Sequence, residues 1–519
     1  MNKSDFIKNT VNTIETIEIN KRLSWWNLAT TGEEKYAKDL QNASIELRKI
    51  FSSEKNYQVL LTSEKQKDPL LEREASILLN HFTENQIPLD LIEEIVKLET
   101  EIESIYTNFR PVVDGRSLSN NELKEILMNS LDSKERELAW KASKEIGNLV
   151  EDKILKLIEL RNRSAQLTGY TNYYTMQLEL QDLDEERLFE LLDKLNHSIT
   201  PQWKEYKAKL DKDLSEKLGV PQEKLMPWHY QDPFFQEAPS QGISIDKYFT
   251  GKDIVEISRS FYDSIGLPVD DILARSDLFE RQGKSQHAFC TSIDSKQDVR
   301  ILCNIKDNEY WMGTQLHELG HAVYDKYIDQ SLPFLLREPA HICTTEAIAM
   351  LFGRFSKKKA FLQTYCEINQ ITEDTEKQLS ANLIVFARWA LVMIHFERAM
   401  YQQPWADLNT LWWDCVETFQ DVHREPGRFA PDWASKLHLA CAPVYYQNYI
   451  LGEMTASQLL HYMNQFPNQS NGLPSKESGE WLKNSLFKLG KQFLWEETLE
   501  KVTGELLNPS YFVKDIESK

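Results

Sequence analysis

The dominant period along this chain is helical. Between residues 91 and 109, Leu91, Ile92, Ile95, Leu98, Ile102, Ile105, Tyr106 and Phe109 fall at three- and four-residue steps. That is the single apolar stripe of an amphipathic helix. The same pattern covers residues 154–167, 186–218, 254–265, 381–401 and 482–499, and predicts a helix in each. Short connectors rich in Pro, Gly or Asn separate them, at 85–88, 219–221, 266–268 and 467–474. One stretch departs from the pattern. Residues 285–292 and 299–305 are short apolar-rich runs joined by a polar turn, and they predict a β-hairpin. No fixed-length repeat and no shift in composition divides the chain, so residues 1–519 are read as one mainly α-helical body in two lobes around a cleft.

The most apolar stretch, residues 383–396, is interrupted by Arg388 and His395 and is too short to span a bilayer. The N-terminal residues lack the apolar core of a signal peptide. Six cysteines are few for this length, and none forms a Cys-x-x-Cys pair. Together these predict a cytoplasmic protein with reduced thiols and no membrane attachment. Hydrophobic residues make up 41 % and charged residues 27 %, which fits a soluble globular protein rather than a disordered chain. The formal net charge of −20 repels phosphate backbones and argues against a nucleic-acid partner.

The strongest chemical signal is His317-Glu318-Leu319-Gly320-His321, an HExxH motif inside a helical pattern running from about Trp311 to Tyr327. Helical geometry puts His317 and His321 one turn apart on one face, where both imidazoles can reach one ion. Glu318, turned about 100° around the axis, can reach a water on that ion without being a ligand. A catalytic zinc site needs a third protein ligand and an open fourth position. Glu346, at the start of the apolar run Ala347-Ile348-Ala349-Met350, is the candidate, with Glu338 and Asp325 as competing carboxylates. Two imidazoles and one carboxylate favour zinc over magnesium or calcium. The implied chemistry is metal-assisted hydrolysis with Glu318 as general base.

At this point the sequence resembles the angiotensin-converting-enzyme family of zinc peptidyl-dipeptidases. The resemblance rests on the HExxH motif, then Leu332-Pro333, Leu336-Arg337-Glu338 and Glu346-Ala347-Ile348, with the step from His321 to Glu346 similar to the family's. Looser similarity reaches Ser24-Trp25-Trp26-Asn27, residues 159–170 and residues 493–504. The resemblance implies a helical ellipsoid of two lobes around a deep channel, a small antiparallel sheet near the zinc, and one metallopeptidase catalytic domain over residues 1–519. It raises Glu346 to the expected third zinc ligand. Residues 285–289 resemble the family's substrate-pairing strand, so His287 would bind substrate and Ala288 would offer its backbone to the peptide. Lys436-Leu437-His438, followed by Tyr445-Tyr446-Gln447-Asn448-Tyr449, is similar to the family's Lys-x-His followed by Tyr-x-x-Tyr. By that match Lys436 and Tyr446 would bind the substrate's C-terminal carboxylate, with Gln231 as a further carboxylate ligand. His438 would donate to a substrate carbonyl, and Tyr449 to the oxyanion.

Four departures from the family pattern stand out. Asn448 occupies the place of a chloride-binding arginine, and residues 412–416 offer no second one, which argues against chloride activation. Gln286 stands where a cysteine would pair with Cys303, so the family's disulfide is absent. Met350 replaces an aspartate that supports a zinc histidine, so another group must orient that imidazole. The leading expectation is a peptidyl-dipeptidase acting on short peptides with a free C-terminus. An oligoendopeptidase of the thimet or oligopeptidase F type, a metallocarboxypeptidase and a non-catalytic peptide-binding protein are the alternatives.

Overall fold

A computed structural model describes residues 3–62, 64–239, 245–369, 374–467 and 472–517. Residues 468–471, inside the predicted 467–474 connector, lie outside the described residues. Among the described residues the fold is mainly α, with two small two-stranded antiparallel sheets. Most predicted helices are present: Leu89–Asn108, Glu185–Leu218, Ile254–Ser264 and Asp374–Gln402. Residues 154–167 form only the last part of a longer helix, Ser133–Leu167. Its first turns escaped the apolar pattern because their buried face carries charged side chains, Arg136 and Lys144, among the apolar ones. A periodicity search counts these as polar, although each is enclosed.

The predicted helix over 482–499 is corrected. The chain runs through Lys476–Trp481, a π-helical turn Leu482–Leu486 and a 3-10 turn Phe487–Leu489, and resumes only at Trp495–Thr503. The break falls at Gly490, with φ +53°, where a Cβ would stand 2.4 Å from the Leu336 carbonyl oxygen. The next amide, Lys491 N–H, donates to that same oxygen at 3.0 Å. Apolar spacing continues across this turn, but the backbone leaves the helix to make the contact.

The predicted hairpin is present with shorter strands, Phe289–Ser292 and Val299–Leu302, in antiparallel register Phe289↔Leu302 to Ser292↔Val299. The smaller sheet, Val112–Val113 with Arg116–Ser117, was not expected. Its turn is Asp114-Gly115, both at positive φ, a two-residue hairpin signal that the sequence carries openly.

Backbone contacts divide the chain into two compact units. The first comprises Met1–Gln86, Ile243–Glu376 and Leu451–Phe512. It holds the motif helix Glu309–Tyr327, the main hairpin and the helix Ile342–Gly353. Here the long helix Lys3–Thr31 packs on the hairpin through Trp26, Ile293 and Leu302. Arg22 ties the same helix to the hairpin turn, donating to the Ser292 carbonyl at 3.2 Å and the Ser295 hydroxyl at 2.6 Å.

The second unit comprises Ile87–Gly242, Lys377–Ile450 and Val513–Lys519. Most of the Asp374–Gln402 helix lies in it. This helix is longer than the apolar stretch suggested, and the 28 residues of Thr375–Gln402 are long and apolar enough to cross a membrane. Yet 72 % of its most apolar window is buried inside the protein, as in the core helix of a globular fold. All six cysteines are free thiols, so no bond joins Cys303 to the hairpin's other strand.

Candidate active site

The motif helix starts at an Asn308 cap, whose side-chain oxygen accepts the Trp311 N–H at 2.9 Å. Met312, Leu316, Leu319 and Val323 bury one face, and the hydroxyl of buried Tyr262 donates to the Leu316 carbonyl at 2.6 Å. The Ile342–Gly353 helix crosses this helix at Gly320. A Cβ there would meet Ala349 Cα at 2.8 Å and the Ile348 carbonyl oxygen at 3.0 Å. The glycine inside HExxH therefore sets how closely the two helices approach.

That approach brings Glu346 to the histidines. Its Oε2 lies 3.8 Å from His317 Nε2 and 4.0 Å from His321 Nε2. The two imidazole rings stand 4.9 Å apart and nearly perpendicular. One ligand atom from each of His317, His321 and Glu346 lies within 4.8 Å of the other two. Of the competing carboxylates, Glu338 instead accepts from Arg22 at 2.9 Å and Lys491 at 3.4 Å, and Asp325 stands outside the cluster. Two imidazole nitrogens and one carboxylate oxygen converging in this way fit zinc and leave a fourth tetrahedral position to a non-protein ligand.

The local electrostatics suit metal binding. Burial pushes His317 down to about 4, and burial with the neighbouring His317 holds His321 well below the usual imidazole range. Both rings are therefore neutral near pH 7, with a lone pair free for a cation. His321 Nδ1 lies 2.7 Å from the Thr345 hydroxyl. With Nδ1–H donating to that oxygen, Nε2 keeps its lone pair towards Glu346. Glu318 is buried, and burial, then the charge of Glu346, raises its carboxyl to about 8. A divalent cation at the three ligands would oppose that rise.

His287 and Ala288 occupy the segment that enters the first hairpin strand, with His287 exposed and Ala288 half-buried. The strand itself begins one residue later, at Phe289, so the predicted start at 285 is corrected. The segment before it is pinned from below: Asn304 donates to the carbonyls of Ser285 and Gln286 at 3.0 and 3.2 Å. The ring of Phe289 packs against Trp25, with centroids 4.2 Å apart and the planes tilted by 33°.

The second unit assembles the other group of residues. Lys436 is buried, with its Nζ 5.2 Å from the Phe234 and Trp389 ring centroids and 5.5 Å from that of Tyr446. The Tyr446 ring lies 5.2 Å from His438 and 5.5 Å from Tyr449. Its hydroxyl accepts the Trp389 indole N–H at 2.8 Å, which leaves the phenol's own proton to give. His438 Nδ1 is buried without a hydrogen-bond partner among the described residues. Burial, with Lys436 nearby, pushes this imidazole down to about 4. Gln231 is buried at φ +71°, a strained position for a residue with a side chain. The side chain that Lys436 grips is that of Gln236, at 2.8 Å. Asp232 shapes this loop by accepting the N–H groups of Phe234 and Gln236, each at 2.7 Å.

Sequence reasoning missed Thr345, Gln236 and Trp389. Thr345 had a visible signal, a hydroxyl one residue before the candidate ligand. Gln236 and Trp389 had none, because their roles come from contacts distant in sequence.

Comparison with known proteins places the chain in a family. The chain is 22 % identical over 473 residues to the angiotensin-converting enzyme-like protein Ace3 of Mus musculus, covering 82 % of this chain and 63 % of that protein. It therefore spans a little under two thirds of the mouse relative's length. It is 22 % identical over 400 residues to thermostable carboxypeptidase 1 of Pyrococcus furiosus, covering 70 % of this chain and 72 % of the relative. To carboxypeptidase 1 of Bacillus subtilis it is 23 % identical over 321 residues, covering 53 % and 59 %. The profile of the family described as angiotensin-converting enzyme matches residues 1–230 and 237–508, nearly the whole chain, and the protein belongs to that family.

Proposed function

We propose that this protein is a zinc metallopeptidase that releases dipeptides from the C-termini of short peptides. The observation that carries the reading is the convergence of His317, His321 and Glu346, with Glu318 one residue from the first ligand. His317, His321 and Glu346 would hold a zinc ion, which would supply Lewis acidity towards the scissile carbonyl and lower the pKa of a bound water. Glu318 accepts a proton from the attacking water and returns it to the leaving amine. Tyr449 donates its phenol to the oxygen on which charge develops. His438 donates to a carbonyl of the bound peptide. His287 and the Ala288 backbone hold the peptide as an extended strand.

In this reading Lys436, Tyr446 and Gln231 receive the terminal carboxylate. The position of the Lys436 ammonium beside Tyr446 and the phenol proton left on Tyr446 support the assignment. A carboxypeptidase releasing single residues is the second reading, favoured by the names of the Pyrococcus and Bacillus relatives. A shift of one subsite separates the two.

The deciding experiment digests one N-terminally blocked hexapeptide, as free acid and as C-terminal amide, with products read by mass. Dipeptide release from the free acid alone is expected. Release of single residues would select the carboxypeptidase reading. Equal internal cleavage of both forms would overturn both.

A further inference from the structure

Val444 holds a backbone conformation that its side chain disfavours. It is fully buried with φ +52°, in the left-handed region where a β-branched residue is a genuine outlier. Such strain persists only where surrounding structure enforces it, and it clusters at functional sites. Here the enforcing contacts are visible. The Val444 N–H donates to the Glu397 carboxyl at 2.8 Å. Its carbonyl accepts from the side-chain amides of Gln447 at 2.6 Å and Gln181 at 3.3 Å. Gln181 in turn accepts from Asn448 at 3.3 Å, so both sides of the strained residue are tied.

The position of this residue gives the strain a purpose. Val444 lies between the short helix His438–Cys441 and the helix Tyr446–Met463, which carries Tyr446 and Tyr449 in its first turn. The other end of the connection is held as well: Arg161 donates to the Ala440 carbonyl and to Glu99, both at 2.6 Å, and to the Tyr401 hydroxyl at 3.0 Å. Glu397 is almost fully buried. Burial raises its carboxyl to about 8, against the lowering pull of the Val444 N–H and then of the Arg161 charge. Protonated or ionised, its oxygen can accept the Val444 amide.

We propose that Glu397 is a positioning residue that clamps Val444 in the left-handed conformation and thereby aims Tyr446 and Tyr449. It is not among the residues assigned above to metal or peptide, and the inference rests on the roles given above to those two tyrosines. Glu397 is the support for the strained residue, and Val444 transmits its effect.

The test is a double-mutant cycle between Glu397→Leu and Val444→Gly, with Glu397→Gln as the conservative control. Glycine adopts positive φ without strain, so Val444→Gly removes the need for a clamp. Glu397→Leu is expected to lower kcat at least tenfold and raise KM for a free-acid peptide, with zinc content unchanged. Glu397→Gln keeps an acceptor oxygen and is expected to stay within about twofold of the parent. Adding Val444→Gly to Glu397→Leu should restore kcat to within about threefold.

A double variant as slow as Glu397→Leu alone, or a Glu397→Leu protein with unchanged kcat, overturns the proposal. If Glu397→Leu is recovered only as aggregate, folding becomes the readout: a soluble double variant supports the clamp and an insoluble one overturns it. Tyr449→Phe is measured alongside. If it keeps full kcat, the catalytic role of Tyr449 fails and the clamp is judged on Tm instead of kcat: a Tm lowered by Glu397→Leu and restored by Val444→Gly supports the clamp, and a Tm not restored overturns it.

Discussion

The Thr345 hydroxyl lies 2.7 Å from Nδ1 of His321, and Thr345 directly precedes Glu346 on the Ile342–Gly353 helix. One helix thus carries both the proposed third metal ligand and a hydroxyl placed to orient the proposed ligand His321. Met350 stands where the family resemblance implies a supporting aspartate; beside His321 the hydroxyl of Thr345, five residues earlier on the same helix, is placed to take that part.

Thr345→Val should weaken zinc binding about 10- to 100-fold, because the ring loses the partner that fixes its tautomer. Thr345→Ser should keep most of the affinity. Competition with a chromogenic chelator measures both, and a valine variant that binds zinc as tightly as the parent would remove Thr345 from this role.

Gly320→Ala places a methyl group 2.8 Å from Ala349 Cα, against backbone that cannot rotate away. The two helices must part. The expected cost is about 1–3 kcal/mol, seen as a lower Tm. Glu346 moves with its helix, so zinc should also be lost more readily on dialysis. A variant with parental Tm would mean that the helices approach less closely than 2.8 Å requires.

Lys436 sets a pH dependence. Burial lowers its ammonium to about 8, even though Asp232 and Glu237 favour the charged form. It is charged below that pH and neutral above it. If it receives the substrate's carboxylate, KM for a free-acid peptide should rise above about pH 8, while KM for the amidated peptide stays flat. Lys436→Ala should abolish this difference. Parallel pH profiles for the two peptides in the parent protein would assign the carboxylate to another group.

Tyr449→Phe should lower kcat by about 10²- to 10³-fold with little change in KM, as expected for a donor that acts mainly in the transition state. Stopped-flow hydrolysis of a quenched peptide measures this. A fall confined to KM would make Tyr449 a binding residue.

The helices were legible where the buried face is apolar, as in Leu89–Asn108, and were hidden where it carries charge. Arg136 and Lys144 are enclosed in the first half of the Ser133–Leu167 helix, and no periodicity of apolar residues reports them. The opposite error occurred after Trp481. There the apolar spacing continued, but Gly490 takes the chain against the Leu336 carbonyl and breaks the helix.

By itself the sequence determined the pair of histidines and the carboxylate beside them, because an α-helix converts a four-residue spacing into a shared face. Local geometry is enough for that. Which of Glu338, Asp325 and Glu346 completes the site was decided only by the tertiary structure, through a contact between two helices that closes at Gly320. The same holds for Thr345 against His321, Gln236 against Lys436 and Glu397 against Val444. Each joins positions 24 to 200 residues apart, and a hydrogen bond's few ångströms of reach cannot be read from such separations until the chain is folded.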